Sequence, residues 1–293
     1  MGNLIKAEFR KTLTLNTWWV LLIPLVITAL GFSWVWGLMV NNLADYLTEG
    51  TAGQISREVG VDADRLPVGL LSIAHGINIA QIIPALFGVF ALAGEYRSKT
   101  ITTTFLTAPN RLAALSAKMI TYVVWGVLYG FVAFGVSAIG AVISVDSQRL
   151  PTTGQWLGAL GATVLASVLV TLFGIGFGAV LNKVTLAVVL LLVWFLVVEN
   201  VLVAFAWNWT TLPGAILPNG TANGIVGGVA AEAFKINALN LGEAEERVGQ
   251  YFVQLTAGAP GVISWWASAL VFAGWTALFF GFGWASNQKR DIT

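Results

Sequence analysis

The chain has 293 residues, of which 57% are hydrophobic and 10% are charged, and its formal net charge is +1. Soluble domains carry about 25% charged residues, so this composition excludes a water-soluble fold and predicts a protein surrounded by lipid, which is itself apolar. The absence of cysteine excludes disulfides and thiolate metal sites, and the near-zero net charge gives no indication of nucleic-acid binding.

The first segment, Met1–Thr17, predicts a short amphipathic helix on the inner membrane surface. Ile5, Phe9 and Leu13 follow one another at intervals of four residues, while Arg10 and the other basic residues fall elsewhere on the helical wheel. Two interpretations stay open. The helix either anchors and orients the first membrane span, or offers a contact surface to a cytoplasmic partner.

Six stretches are long and apolar enough to cross a bilayer, which takes about 20 residues in a helix. They are Trp18–Val40, Ile73–Gly94, Met119–Val145, Gln155–Leu181, Thr185–Ala206 and Gly261–Ala285. The first is too long for the apolar part of a signal peptide, so we expect it to be retained. These stretches predict an all-α membrane protein with six transmembrane helices in a single domain, residues 1–293.

The basic residues indicate the orientation of these spans. With both termini in the cytoplasm, the inner segments hold ten of the fifteen Lys and Arg residues but three of the fourteen acidic ones. Basic residues favour the cytoplasmic side of a membrane, so the sequence predicts a multi-pass protein of a bacterial plasma membrane with both ends inside.

The connecting segments are unequal in length. The segment Trp207–Pro260 predicts short extracellular helices between spans five and six, because turn residues at its start precede a helical pattern. The substantial inner loop is Glu95–Lys118. Within span four, Gly174–Gly178 reads GIGFG without a preceding strand, which favours close helix packing over dinucleotide binding.

Polar residues inside the spans are candidates for a role in a substrate path or gate. Glu199 and Asn200 lie in span five, and His75, the one histidine of the chain, lies near the outer start of span two. A carboxylate within a span usually faces a bundle interior or a wet cavity. For Glu199, a structural hydrogen bond to a neighbouring helix or to a second subunit is the equally weighted alternative, and for His75 a satisfied polar residue is the alternative.

Two groups of motifs resemble the ABC-2 family of ABC transporter permeases, the transmembrane subunits of type V-like exporters. Gly94–Arg97 reads GEYR at the end of span two, and Thr100–Ile101, Pro109-x-Arg111 and Ala117–Lys118 follow it in order. The opening AEFRKTLTLNTWW, at Ala7–Trp19, is similar to the beginning of that family, and the layout of six spans with a long segment before the last agrees with it.

The resemblance implies an ATP-driven exporter of lipophilic or amphipathic compounds such as drugs, peptides or lipids. The permease would pair with a second permease chain and with two copies of an ATPase subunit. It implies that the following residues form or flank the helix that couples to the ATPase: Glu95, Tyr96, Arg97, Lys99, Thr100, Pro109 and Arg111. The 293 residues contain no Gly-x-x-x-x-Gly-Lys-[Ser/Thr] motif, so we expect no cofactor on this chain and ATP with Mg²⁺ on the partner, and the chain itself is not expected to be an enzyme.

Two other classes of function stay open. An ion- or proton-coupled secondary transporter would need ionisable residues and broken helices near the membrane midplane, for which Glu199 and Pro84 are the candidates. An intramembrane enzyme has little support, because the chain has one histidine, no cysteine and no HExxH motif.

Overall fold

The computed structural model describes residues 2–58, 62–97, 111–181, 183–207, 209–236 and 242–288, and these residues form helices and turns without a strand. In chain order the helices are α1 Gly2–Thr14, α2 Thr17–Tyr46, α3 Gly50–Glu58, α4 Val68–Ala80, α5 Ile82–Arg97, α6 Arg111–Ser144, α7 Thr153–Leu181, α8 Val184–Val193, α9 Glu199–Ala206, α10 Leu212–Ile216, α11 Pro218–Glu232, α12 Glu243–Thr256 and α13 Trp265–Gln288. Single 3₁₀ turns occupy Ala63–Arg65 and Ser147–Arg149, and a π-helical turn occupies Trp194–Val198.

Six helical segments among the described residues have the length and apolar character of membrane spans, so the coarse prediction of a six-span all-α membrane protein is confirmed. The spans are α2, α4 with α5, α6, α7, α8 with α9, and α13. Span two is the central element, since 89% of its most apolar window is buried, against 22% to 56% for the others. The remaining spans surround it and expose apolar side chains to the outside, as a protein in lipid does.

Two helices extend beyond the apolar stretches of the sequence. Helix α2 continues to Tyr46, six residues past Val40, and α6 begins at Arg111, eight residues before Met119. Hydropathy marks the part of a helix that lies in hydrocarbon, whereas the helix itself ends where backbone hydrogen bonding ends. The predicted inner loop 95–118 is therefore shorter: α5 and α6 occupy its two ends, and only residues 98–110 separate them.

The bundle has two distinct ends. Helix α1, the end of α5, the beginning of α6 and the last turns of α13 lie at one end, which we call the amino-terminal face. Helix α3, the two 3₁₀ turns and α12 lie at the other end, which we call the opposite face. At the opposite face Arg149 is buried and its guanidinium contacts Asp45 at 2.6 Å and Asp146 at 3.3 Å, which fastens the end of α2 to the α6–α7 connection.

Glycines allow α5 and α7 to pack closely at the centre of the bundle. Added Cβ atoms at Gly174 and Gly178 would meet the backbone of α5 at Ala85 and Val89, and one at Gly88 would meet the backbone of α7. The GIGFG segment therefore lies between helices, as expected for close packing.

Spans two and five are each interrupted near their middle. Span two breaks at Gln81, because Pro84 has no N–H to offer the carbonyl of Ala80 one turn earlier. In span five the N–H of Glu199 bonds to the carbonyl of Trp194, five residues back. Irregular backbone at this depth is tolerated only where other protein groups cover it.

The segment between spans five and six forms three helices, but α10 and α11 do not simply cover the end of the bundle. Most residues of α11 are buried, and α11 packs against α13, α7 and α4. The indole of Trp275, ten residues into α13, donates to the carbonyl of Ile216 at 2.7 Å. Because α11 carries four glycines and no charge before Glu232, its backbone can lie against Trp265 and Ser268 inside the bundle.

Candidate functional site at the amino-terminal face

Helix α1 binds to the bundle through a polar face. Glu8 and Thr12 are buried, and Phe9 stacks on Trp125 with ring centroids 6.3 Å apart. Ile5 is half-buried, whereas Arg10 and Leu13 are exposed. The apolar stripe expected from the sequence is therefore divided, because Ile5 and Phe9 turn toward the protein and Leu13 turns outward.

Four charged side chains join α1 to the ends of α5 and α6, and we call them the ion cluster: Glu8, Lys11, Glu95 and Lys118. The ammonium of Lys118 donates to Glu8 Oε2 at 2.9 Å and to Glu95 Oε1 at 2.6 Å. It also donates to the carbonyl of Ala91 at 3.3 Å, and Lys11 pairs with the same oxygen of Glu95. The cluster contains two cations and two anions, so it is neutral as a whole.

Three members of the ion cluster are almost fully buried. Lys118 is 2% exposed, Glu95 4% and Glu8 8%. Ions removed from water to this degree must keep their partners, because an unpaired buried charge is strongly unfavourable. Any displacement of α1 away from α6 would separate Glu8 from Lys118, so the ion cluster holds three elements of the chain in one arrangement.

Aromatic side chains complete the contact between α1 and α6. Tyr122, one turn beyond Lys118, lies beside the side chain of Thr12, and its ring packs on Phe87 with centroids 5.0 Å apart. The hydroxyl of Tyr129 donates to the carbonyl of Trp18 at 2.7 Å, which ties the beginning of α2 to the same helix. The chain leading into span one thus follows α6 over about three turns.

The residues expected to couple to an ATPase fall into three groups. Glu95 is buried in the ion cluster, and Arg97, at the end of α5, is exposed. Tyr96 lies in the last turn of α5 and Arg111 begins α6. Lys99, Thr100 and Pro109 lie outside the described residues.

The sequence alone did not single out Glu8 or Lys118 as members of a site. Glu8 lies 110 positions before Lys118 in the sequence and Glu95 lies 23 positions before it, so no local pattern connects these residues. The available signal is an acidic residue inside a basic helix and a lysine that enters an apolar span, both at the same predicted membrane face.

The carboxylate of Glu199 is the acceptor in a second group of polar contacts, deep in the bundle. Its Oε2 accepts hydrogen bonds from the indole of Trp194 at 2.8 Å and from the backbone N–H of Asn219 at 2.9 Å. Its other oxygen accepts from the N–H of Gly220. These N–H groups belong to the first turn of α11, whose positive end favours an anion.

The side-chain amide of Asn200 donates to backbone carbonyls at the point where span five is interrupted. It donates to the carbonyls of Phe195 at 2.9 Å and Leu196 at 3.1 Å, both within the π-helical turn. Glu199 is 1% exposed and is bonded to a neighbouring helix. These contacts support the interpretation of Glu199 and Asn200 as structural residues. A role for either residue in a substrate path stays a prediction.

His75 lies where α2, α4 and the turn after α12 meet. Its ring stacks on Trp36 with centroids 3.9 Å apart and planes inclined by 6°. The indole of Trp36 donates to the carbonyl of Thr256 at 2.6 Å, and Gly258, with φ of +71°, packs against the His75 ring. The histidine is thus part of an interhelical contact, and a role as a gate stays a prediction.

Within the described residues, no group of three or more His, Cys, Asp or Glu side chains could hold a metal ion. No protein-family model and no curated protein matches the chain.

Proposed function

We propose that this chain is the transmembrane subunit of an ATP-driven exporter of the ABC-2 type, carrying lipophilic or amphipathic cargo. The observation that carries the proposal is the ion cluster. It ties α1 to the end of α5 and the beginning of α6, which are the helices on either side of residues 98–110. A force applied to that connection would reach α1 and span one together with spans two and three.

In this proposal a separate ATPase subunit binds the amino-terminal face, with ATP and Mg²⁺ on the ATPase. Lys6, Arg10 and Arg97 are exposed there and are available for contact with such a partner. Two ATPase copies would serve this chain and a second permease chain, identical or related. The cargo path would be formed by the spans, so the chain itself would carry no hydrolytic chemistry.

We place both termini in the cytoplasm of a bacterial cell, with α12 outside. The support is the excess of basic residues in segments at the amino-terminal face. The chain has no cysteine, so single cysteines can report the orientation. Arg10→Cys and Arg57→Cys are exposed positions at opposite ends, and a membrane-impermeant maleimide added to intact cells should label the variant at position 57 alone.

A secondary transporter driven by protons or other ions is the alternative. It would use an ionisable group that meets the transported ion within the membrane. Glu199 accepts three hydrogen bonds from the protein itself, which leaves the carboxylate in a structural arrangement. Cargo movement that follows a proton gradient without nucleotide would favour this alternative.

The test is affinity purification of the tagged chain from membranes of its own host, followed by identification of bound proteins and measurement of ATP hydrolysis. We expect a P-loop ATPase in the complex. Arg97→Ala should reduce the bound ATPase or its hydrolysis while the chain still inserts, because Arg97 is exposed and outside the ion cluster. Arg57→Ala, an equal change at the opposite face, should behave as the unchanged chain does, and the proposal fails if no ATPase is found.

A further inference from the structure

A cavity of about 480 Å³ opens at the opposite face of the bundle. Its walls come from the last turns of α2, the first turns of α4, the residues after α11 and one side of α12. Leu43, Leu47, Leu71, Phe234 and Phe252 are among its apolar lining residues. Small-molecule sites in proteins have volumes of about 300–1,000 Å³ and mostly apolar walls, so this cavity has the dimensions of a binding site.

The interior of the cavity is suited to hydrocarbon. Among the described residues of the walls, Thr256 contributes a hydroxyl, which bonds to the carbonyls of Phe252 and Val253 of its own helix, each at 2.9 Å. The other polar lining residues, Asp62 and Arg65, are exposed and stand at the mouth. An occupant therefore finds apolar contacts within and charged groups at the entrance.

The two charges at the mouth have opposite signs. The guanidinium of Arg65 lies 3.7 Å from a carboxylate oxygen of Asp62, and the side chains are 84% and 62% exposed. An exposed pair at this distance is weak and can exchange partners. Arg65 can bind a phosphate and Asp62 an ammonium group, so the mouth is complementary to a head group that carries both.

The cavity lies where the spans leave the hydrocarbon layer. Helix α2 has 30 residues and is about 45 Å long, whereas the hydrocarbon core is about 30 Å thick. With Thr17 at one boundary of the core, residues after about Gly37 lie beyond the other, and Leu43 and Leu47 are among them. Their apolar side chains would face water in an empty cavity, and a hydrocarbon chain drawn from the bilayer would cover them.

We propose that this cavity binds the hydrocarbon chain of a single-chain zwitterionic amphiphile, of the lysophospholipid class, with its head group between Asp62 and Arg65. The site is formed by this chain alone and does not depend on the proposed ATP-driven export. Binding can therefore be measured on the purified chain without any ATPase.

The probe is a lysophosphatidylcholine with a photoreactive diazirine near the end of its chain, incorporated at low density into nanodiscs that hold the full chain. After illumination, labelled peptides are identified by mass spectrometry. We expect labels in residues 40–47 and 249–256, which belong to two of the helices that line the cavity.

Gly249→Leu fills the cavity while favouring the helix that carries it. A Cβ at this position would lie 3.4 Å from Ile236, at ordinary contact distance, and leucine is a better helix former than glycine. A leucyl side chain takes the room of about three chain methylenes, so we expect about fiftyfold weaker binding and a matching loss of labelling of both peptides at low probe density. The melting temperature should be unchanged or higher.

Gly161→Leu is the matched control, because Gly161 is exposed on α7 and a Cβ there meets nothing within 4 Å. Its labelling should equal that of the unchanged chain. Equal labelling in the Gly249→Leu variant, or labels confined to bilayer-facing spans, would overturn the site. The double variant Asp62→Asn, Arg65→Gln should lower labelling about threefold, and no loss there would overturn the assignment of the head group.

Discussion

Replacing Lys118 by methionine removes the ammonium group shared by two buried carboxylates and keeps the length of the side chain. Glu95 would still have Lys11 as a partner, but Glu8, 8% exposed, would lose the cation that lies 2.9 Å from it. Removing one member of a buried ion pair costs about 3–5 kcal/mol. We therefore expect the free energy of unfolding of Lys118→Met to fall by about 3 kcal/mol.

The stability of a double variant tests whether Glu8 and Lys118 act as a pair. In the double variant Glu8→Met, Lys118→Met neither the stranded carboxylate nor its cation remains, and apolar replacements of buried ion pairs are often neutral. The double variant should accordingly be more stable than Lys118→Met alone, by about 2 kcal/mol. If Glu8 and Lys118 did not interact, the losses of unfolding free energy from the two changes would instead add.

The measurement is unfolding in mixed micelles, followed by circular dichroism, together with the rate at which trypsin cleaves α1 after Lys6 or Arg10. Lys183→Met is the control, since Lys183 is an exposed lysine between α7 and α8, and such surface changes usually stay within about 0.5 kcal/mol. Equal stability of the variants at positions 118 and 183, with equal cleavage of α1, would refute the role of the ion cluster.

Three further predictions concern other contacts. Glu199→Leu leaves two backbone N–H groups at the start of α11 without their acceptor and should lower the free energy of unfolding by about 1–3 kcal/mol, as measured by the same unfolding titration; an unchanged midpoint would contradict the described contact. Arg149→Met removes the buried guanidinium from neighbouring carboxylates that are about half exposed and should destabilise the chain by about 1–3 kcal/mol, because its charged hydrogen bonds are lost. The same titration at high salt should recover part of this loss, since repulsion between those carboxylates is screened. Gly88→Ala inserts a methyl group against the backbone of α7 near Thr171 and should cost about 1–3 kcal/mol, whereas Gly161→Ala, in open space, should be neutral or slightly stabilising; equal effects of the two alanines on the melting temperature would exclude close α5–α7 packing.

Composition and hydropathy were sufficient to predict the number of spans, because each span is defined by a local property of its own sequence. The ends of the helices were harder to predict. Helix α2 continues to Tyr46 through polar residues that lie beyond any apolar stretch. Helix α6 begins at Arg111, directly after the segment 98–110. Hydropathy describes the surroundings of a helix, so it cannot mark ends that lie in water.

The sequence indicated which polar residues lie in or near the spans, but not which groups they contact. Glu199 was recognisable as a carboxylate in a span, but its acceptance of N–H groups from α11 depends on how residues 212–232 fold back into the bundle. Lys118 was counted among the basic residues of the inner face, yet its pairing with Glu8 joins positions 110 apart. Such contacts follow from the packing of spans, which a single sequence does not determine.

A cysteine at Ala7 offers the most direct test of the central proposal, that an ATPase binds the amino-terminal face. The chain has no cysteine, so Ala7→Cys and Arg57→Cys each carry one reactive thiol, at exposed positions on the two faces. Each variant is expressed in its own host, labelled with a thiol-reactive photocrosslinker and illuminated, and its cross-linked partners are identified. We predict a cross-link to a protein with a P-loop from position 7 and none from position 57. Absence of such a protein from both, or its equal capture by both, would contradict the proposal.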